Sequence, residues 1–132
     1  MAATAPSAPV ADAAEKADWP RVAALVREHT DVKAAQADGT TALHWAAYHD
    51  NRDSTRLLLD AGADAKAANR YGVTPLAPAC TNGNADIVKL LLTAGADPNI
   101  RDDKYHATAL GWADFFGRSD FADLIREKGG AK

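Results

Sequence analysis

The sequence has little of what most metal-binding, disulfide-stabilised and membrane proteins need. It holds one cysteine, Cys80, in 132 residues, so an internal disulfide and a thiolate metal cluster are both excluded. It has no run of about 18 apolar residues, so it predicts no membrane-spanning helix. Aromatic residues make up only 7% of the chain, which is too few for one thick core.

Positive charge is also scarce and scattered. The chain has 15 Lys and Arg against 18 Asp and Glu, which gives a net charge of −3, and its basic residues form no run. Phosphate contacts dominate nucleic-acid affinity and need a basic face. We therefore expect no nucleic-acid partner.

Glutamate is rare and alanine is abundant. The acidic residues are 15 Asp and 3 Glu, and alanine supplies 31 of the hydrophobic residues, which are 47% of the chain. Aspartate favours helix caps and turns rather than helix interiors. The composition therefore predicts one domain of short, thin, closely packed helices with many turns.

The chain repeats itself with a period of 33 residues. When 38–70 is aligned with 71–103, 13 of the 33 positions are identical, far more than the two or three that chance gives. The longest identical blocks are 57–59 with 90–92 and 61–64 with 94–97. Further matches before and after these segments extend the period to about three and a half to four copies.

Each unit predicts two short helices joined by turns. Gly39 lies at a turn tip, and Thr41 is a good N-cap for a helix over about 42–49. A second helix is predicted over about 53–60. Gly62 then provides the left-handed residue that commonly ends a helix. The unit is turn, helix, loop, helix and long loop.

Two motif blocks in each unit resemble the ankyrin repeat. They are "TALHWAA" and "TPLAPAC" for the first block, and "LLLDAGAD" and "LLLTAGADPN" for the second. The resemblance covers roughly Val10 to Gly130. Within the family, the chain is similar to the bacterial-type members. It implies an all-α solenoid of about four helix-turn-helix repeats with short β-turn or hairpin tips.

The resemblance also implies the domain boundaries. Residues 1–9 are rich in Ala, Pro, Ser and Thr, so we expect a disordered tail, followed by the repeat domain over 10–132. The first and last repeats are predicted to be caps. The predicted repeats are about 10–35, 36–68, 69–101 and 102–130.

The tail bears on localisation. It is similar to the mature start of exported bacterial ankyrin proteins, which suggests that Met1 replaces a removed signal sequence. The protein would then be exported or periplasmic. Without such a signal it would be cytoplasmic.

Two departures from the family pattern predict local differences. The resemblance implies that His44 joins the start of its helix to a neighbouring loop, but the equivalent positions hold Ala77 and Gly111. Pro78 replaces an apolar residue near the fourth helical position, where it removes a backbone N–H. We expect a distortion at the start of that helix.

The resemblance places the partner-binding residues on a concave face formed by turn tips and by the last turns of the first helices. Carried onto this sequence, these positions are Asp38, Thr40, Tyr48, His49, Arg70, Tyr71, Val73, Thr81, Asn82, Lys104, Tyr105, His106, Phe115 and Phe116. They include five of the nine aromatic residues, the residue type that dominates binding hot spots.

Core packing is the alternative interpretation for some aromatic residues. One of Phe115 and Phe116 would then pack into the C-terminal cap, and Tyr71 would cover a neighbouring loop. Trp45 and Trp112 occupy the usual core position of the first helix, so we predict that both belong to the core.

No catalytic or metal-binding arrangement stands out. His44 and His49 are five residues apart, which is not the i, i+4 spacing of a helical metal pair. Cys80 is expected to be a small core residue. A metal, ligand or enzymatic site around these three residues remains the alternative from a different class. Burial of both Cys80 and His44 would remove it.

The sequence therefore predicts a monomeric, non-enzymatic module that binds a partner protein without metal or cofactor. It predicts no nucleic-acid or membrane partner. One alternative is an inhibitor or protective partner of a bacterial envelope enzyme. Another is a stable engineered or truncated repeat scaffold.

Overall fold

The structure, a computed structural model, describes residues 8–101, 106–115 and 119–130. Over these residues the chain forms eight α-helices and no strand, which confirms the predicted all-helical fold. The helices are α1 (Pro9–Glu15), α2 (Trp19–Arg27), α3 (Ala42–Tyr48), α4 (Arg52–Asp60), α5 (Leu76–Asn82), α6 (Ala85–Thr93), α7 (Ala109–Phe115) and α8 (Ser119–Glu127).

The helices form two layers. The first helices of the repeats contact one another in the order α1, α3, α5, α7, and the second helices in the order α2, α4, α6, α8. Leu43, Leu58, Leu76 and Leu91 are almost fully buried between these elements, together with many small alanines. Because each helix buries its apolar side against its neighbours, the chain needs no single thick core.

Asparagine side chains cap the N-termini of the second helices in the two internal repeats. The Asn51 Oδ1 accepts a hydrogen bond from the Ser54 N–H at 2.8 Å, and the Asn84 Oδ1 accepts one from the Ile87 N–H at 3.1 Å. Each bond satisfies a backbone donor that has no partner within the helix.

Three aspartates spaced by 33 residues close the same turn in successive repeats. In each one, the carboxylate accepts a hydrogen bond from the backbone N–H two residues later, at 2.8–2.9 Å. The three residues are Asp31, Asp64 and Asp97. These three aspartates therefore mark turns, as the composition predicted.

Neighbouring turn tips are joined through their backbones. Gly39 has a φ of +87°, and a Cβ placed on it would lie 3.0 Å from the Cα of Asn69 in the next tip. The adjacent Asp38 carbonyl accepts a hydrogen bond from the Arg70 N–H at 2.6 Å. Glycine is needed at this tip both for its left-handed backbone and for this close approach.

Pro78 changes the start of α5. In α3, the Thr41 carbonyl accepts a hydrogen bond from the Trp45 N–H, but the equivalent partner of the Thr74 carbonyl is Pro78, which has no N–H. Thr74 instead accepts from the Ala77 N–H, one residue earlier, at 3.2 Å. As a result α5 begins one residue later than the repeat predicts, and the Thr74 carbonyl makes a tighter three-residue turn in place of the regular helical bond.

Replacing Pro78 with leucine should raise the midpoint of thermal unfolding. The new N–H can bond the Thr74 carbonyl and restore the first turn seen in α3, a gain of about 1 kcal/mol. Pro20→Ala is the control, because Pro20 is exposed in the first turn of α2, where a missing N–H costs nothing, so its midpoint should stay close to that of the wild type. A midpoint that Pro78→Leu leaves unchanged or lowers would show that this proline does not strain the helix.

Candidate protein-binding groove

An open groove of about 560 Å³ runs along the turn tips and first helices of three successive repeats. Seven of its thirteen lining residues are apolar or aromatic, and the six polar ones lie both at the tips and in the first helices. The lining residues are Asp38, Thr40, His44, Trp45, Tyr48, Asn69, Tyr71, Val73, Ala77, Pro78, Thr81, Asn82 and Trp112.

Half of the partner-binding residues predicted from the sequence lie in this groove. They are Asp38, Thr40, Tyr48, Tyr71, Val73, Thr81 and Asn82. Tyr48 and Tyr71 are 59% and 51% exposed, so a large part of each ring is open to a partner. Thr40 is buried, and its hydroxyl oxygen accepts a hydrogen bond from the Asn69 side chain at 3.4 Å.

The remaining predicted residues do not line the groove or cannot be placed. Arg70 is exposed at the second tip, and the carbonyl of His106 accepts a hydrogen bond from the Arg101 side chain. Phe115 is 78% exposed and packs edge-on against Trp112. Three of the predicted residues lie outside the described part of the chain, namely Lys104, Tyr105 and Phe116.

His49 joins the first repeat to the second. Its ring stacks on Trp45, with 6.0 Å between the ring centroids, and meets the edge of Trp19 at 5.8 Å. Its Nε2 lies 3.0 Å from the Glu15 carbonyl oxygen. The structure thus gives His49 a packing role that the sequence did not predict, and its contact with a partner stays a prediction.

The prediction that Trp45 and Trp112 are core residues is wrong in part. Both are only partly buried at the edge of the core, and both line the groove. The Trp45 Nε1–H donates a hydrogen bond to Gln36 Oε1 at 2.8 Å. The Gln36 amide in turn donates to the carboxylates of Asp12 and Glu15 in α1, which fixes this wall of the groove.

The groove contains a proline where two other repeats have a tryptophan. Trp45, Pro78 and Trp112 occupy equivalent positions in three repeats, spaced by 33 and 34 residues. All three line the groove, and the small ring of Pro78 leaves space beside two indoles. Aligning the repeats position by position is the sequence signal that could have revealed this gap.

His44 connects its own helix to the next turn tip. Its Nδ1 accepts a hydrogen bond from the Thr41 N–H at 3.1 Å, so its Nε2–H donates to the Val73 carbonyl at 2.7 Å. Burial lowers the pKa of this imidazole below its ordinary value, which favours the neutral ring that these two bonds need. The structural role implied by the family resemblance is confirmed.

Folding stability should therefore fall in mild acid because of His44. Below the ordinary histidine pKa of 6.5, the unfolded chain binds a proton here that the folded protein does not. The stabilisation is complete above that pH and is lost as the pH falls towards the folded-state pKa. His44→Gln should show a smaller loss of unfolding free energy between about pH 7.5 and about pH 5.5 than the wild type.

The exposed His29 supplies the control for this experiment. It has a φ of +61°, a backbone conformation that asparagine tolerates, so His29→Asn should keep the fold. This variant should retain the pH dependence of the wild type. An equal reduction in both variants would contradict the assignment to His44.

The alternative site around Cys80 and His44 is not supported. Cys80 is fully buried, and burial raises the pKa of its thiol to about 12, so no reactive thiolate forms near neutral pH. Both ring nitrogens of His44 are hydrogen-bonded within the protein. Across 8–101, 106–115 and 119–130, no group of three His, Cys, Asp or Glu side chains could hold a metal ion.

In the part of the chain that the structure describes, no helix is both long enough and apolar enough to cross a membrane.

Stacked two-helix repeats with a groove along their tips and first helices define a helical-repeat binding scaffold. The family described as "Ankyrin repeats (3 copies)" matches residues 11–102, more than half of the sequence. The chain therefore belongs to the ankyrin repeat family, whose members are generally protein–protein interaction modules and typically not enzymes. No curated protein matches the chain.

Proposed function

We propose that this protein is a non-enzymatic module that binds a partner protein in the groove along its tips and first helices. The observation that carries the proposal is the position of Tyr48 and Tyr71. These half-exposed rings face the same groove from two successive repeats. Tyrosine offers a large contact area at a low cost in conformational entropy, and it is enriched at binding hot spots.

The groove is held in shape by hydrogen bonds between repeats. The Asn82 side chain donates to the carbonyls of Ala47 and Tyr48 at 3.1 and 2.8 Å, which fixes the end of α3 against α5. His44 fixes the second tip through the Val73 carbonyl. Because these groups are ordered before binding, association loses less entropy than it would with flexible loops.

Affinity capture with the full chain tests this function. The double variant Tyr48→Ala with Tyr71→Ala should lose at least one protein that the wild type retains from a lysate of the source organism. With that protein purified, calorimetry should show a loss of more than about 2 kcal/mol in binding free energy.

The matched control changes two exposed residues on the second-helix layer, Arg56→Ala with Lys89→Ala. This variant should retain the same proteins as the wild type, and circular dichroism should show all three chains folded. The proposal fails if the tyrosine variant and the wild type retain the same proteins with the same affinity.

A further inference from the structure

One charge stands out in the groove. Among the described residues that line it, Asp38 alone is ionised at neutral pH, since His44 is held neutral. Hydrogen bonds from Thr40, through its hydroxyl and its N–H, lower the pKa of the Asp38 carboxyl. Over its described lining, the groove therefore presents a single negative charge within a largely apolar surface.

This carboxylate lacks a positively charged partner among the residues that the structure describes. Within the described ranges, no Lys, Arg or His nitrogen lies within 4.0 Å of it. Arg70 of the neighbouring tip contributes only the smallest of the effects on its pKa. An apolar partner segment placed here would bury the charge unpaired, and an acidic segment would be repelled.

The aromatic lining also favours a positively charged group on the partner. Tyr48, Tyr71, Trp45 and Trp112 all line the groove that Asp38 enters, and the indole of Trp45 lies at a right angle to the Tyr48 ring, 5.6 Å away. The faces of Trp and Tyr rings attract ammonium and guanidinium groups, most strongly where water is excluded. Carboxylate and rings together therefore complement a cation on an apolar stem.

We propose that the groove accepts a lysine or arginine side chain of the partner protein, paired with Asp38 and packed against Tyr48 and Tyr71. This inference rests on the proposed function and specifies its chemistry. The methylene stem of the basic residue would cover the apolar lining, while its charged group reaches the carboxylate at the tip.

A displayed library of random 12-residue peptides, selected on the full chain, supplies the probe. Selected peptides that lose binding with Tyr48→Ala and Tyr71→Ala occupy the groove, and these should carry a Lys or Arg beside apolar residues. Asp38→Asn should lower the affinity of these peptides at least about tenfold. Asparagine can still accept the Thr40 N–H, so the tip should keep its shape.

Exchanging the basic residue of the peptide for norleucine should cost the same factor with the wild type and little with Asp38→Asn, as expected for a direct pair. Asp53→Asn is the matched control, because Asp53 lies on α4 outside the groove and its side chain is 94% exposed. It should leave affinity unchanged.

The outcomes separate the two proposals. Groove-bound peptides that are neutral or acidic, and that bind Asp38→Asn as well as the wild type, would overturn the basic-residue inference while supporting the groove as a binding site. If no selected peptide depends on Tyr48 and Tyr71, the inference is also overturned. The capture experiment then decides separately whether the groove binds protein.

Discussion

Replacing Leu91 with alanine is expected to lower the free energy of unfolding by about 3 kcal/mol. Leu91 is fully buried in α6, a helix that contacts α4, α5 and α8. Its removal would leave a cavity between rigid helix layers that can close only in part. In a solenoid, the damage also weakens the interfaces with both neighbouring repeats, because stability depends on nearest-neighbour contacts.

Leu90, the preceding residue, is a control of the same chemical type. It lies only partly buried at the surface between α4 and α6, so Leu90→Ala should cost about 1 kcal/mol. Urea unfolding followed by circular dichroism measures both changes. Equal losses for the two variants would contradict the difference in burial between Leu90 and Leu91.

The 33-residue period made most of the fold predictable. Spacing alone located the two leucine triplets, the tip at Gly39 and the helix ends, because each repeat reuses the same local turns and caps. The predicted helix over about 42–49 matches α3, and the one over about 53–60 matches α4, to within a residue at each end. Even the altered start of α5 followed from a single proline and its missing N–H.

The groove was harder to predict. Helical periodicity shows which side of a helix faces inward, but it does not show how deeply a large ring enters. Periodicity therefore predicts that Trp45 and Trp112 belong to the core, although they lie at its edge. His49 packs against Trp19 of the first repeat. Because that repeat lacks the family motifs, no sequence pattern predicts this contact.

Replacing Pro78 with tryptophan should abolish groove binding without unfolding the protein. Trp45 and Trp112 show that a first helix of this stack accommodates an indole at the equivalent position. A third indole between them would fill the space that the small proline ring leaves. We expect the affinity of a groove-bound partner or selected peptide to fall more than about 100-fold by calorimetry.

Pro78→Ala distinguishes the effect of filling the groove from the effect of restoring the backbone hydrogen bond of the helix. Both variants restore the backbone N–H, so both should be at least as stable as the wild type, but alanine leaves the groove open and should retain binding. If stability rises in both variants but binding is lost only in Pro78→Trp, the partner occupies this space. If Pro78→Trp binds as tightly as Pro78→Ala, the partner does not enter the groove, because an indole at this position and a bound side chain cannot share the same volume.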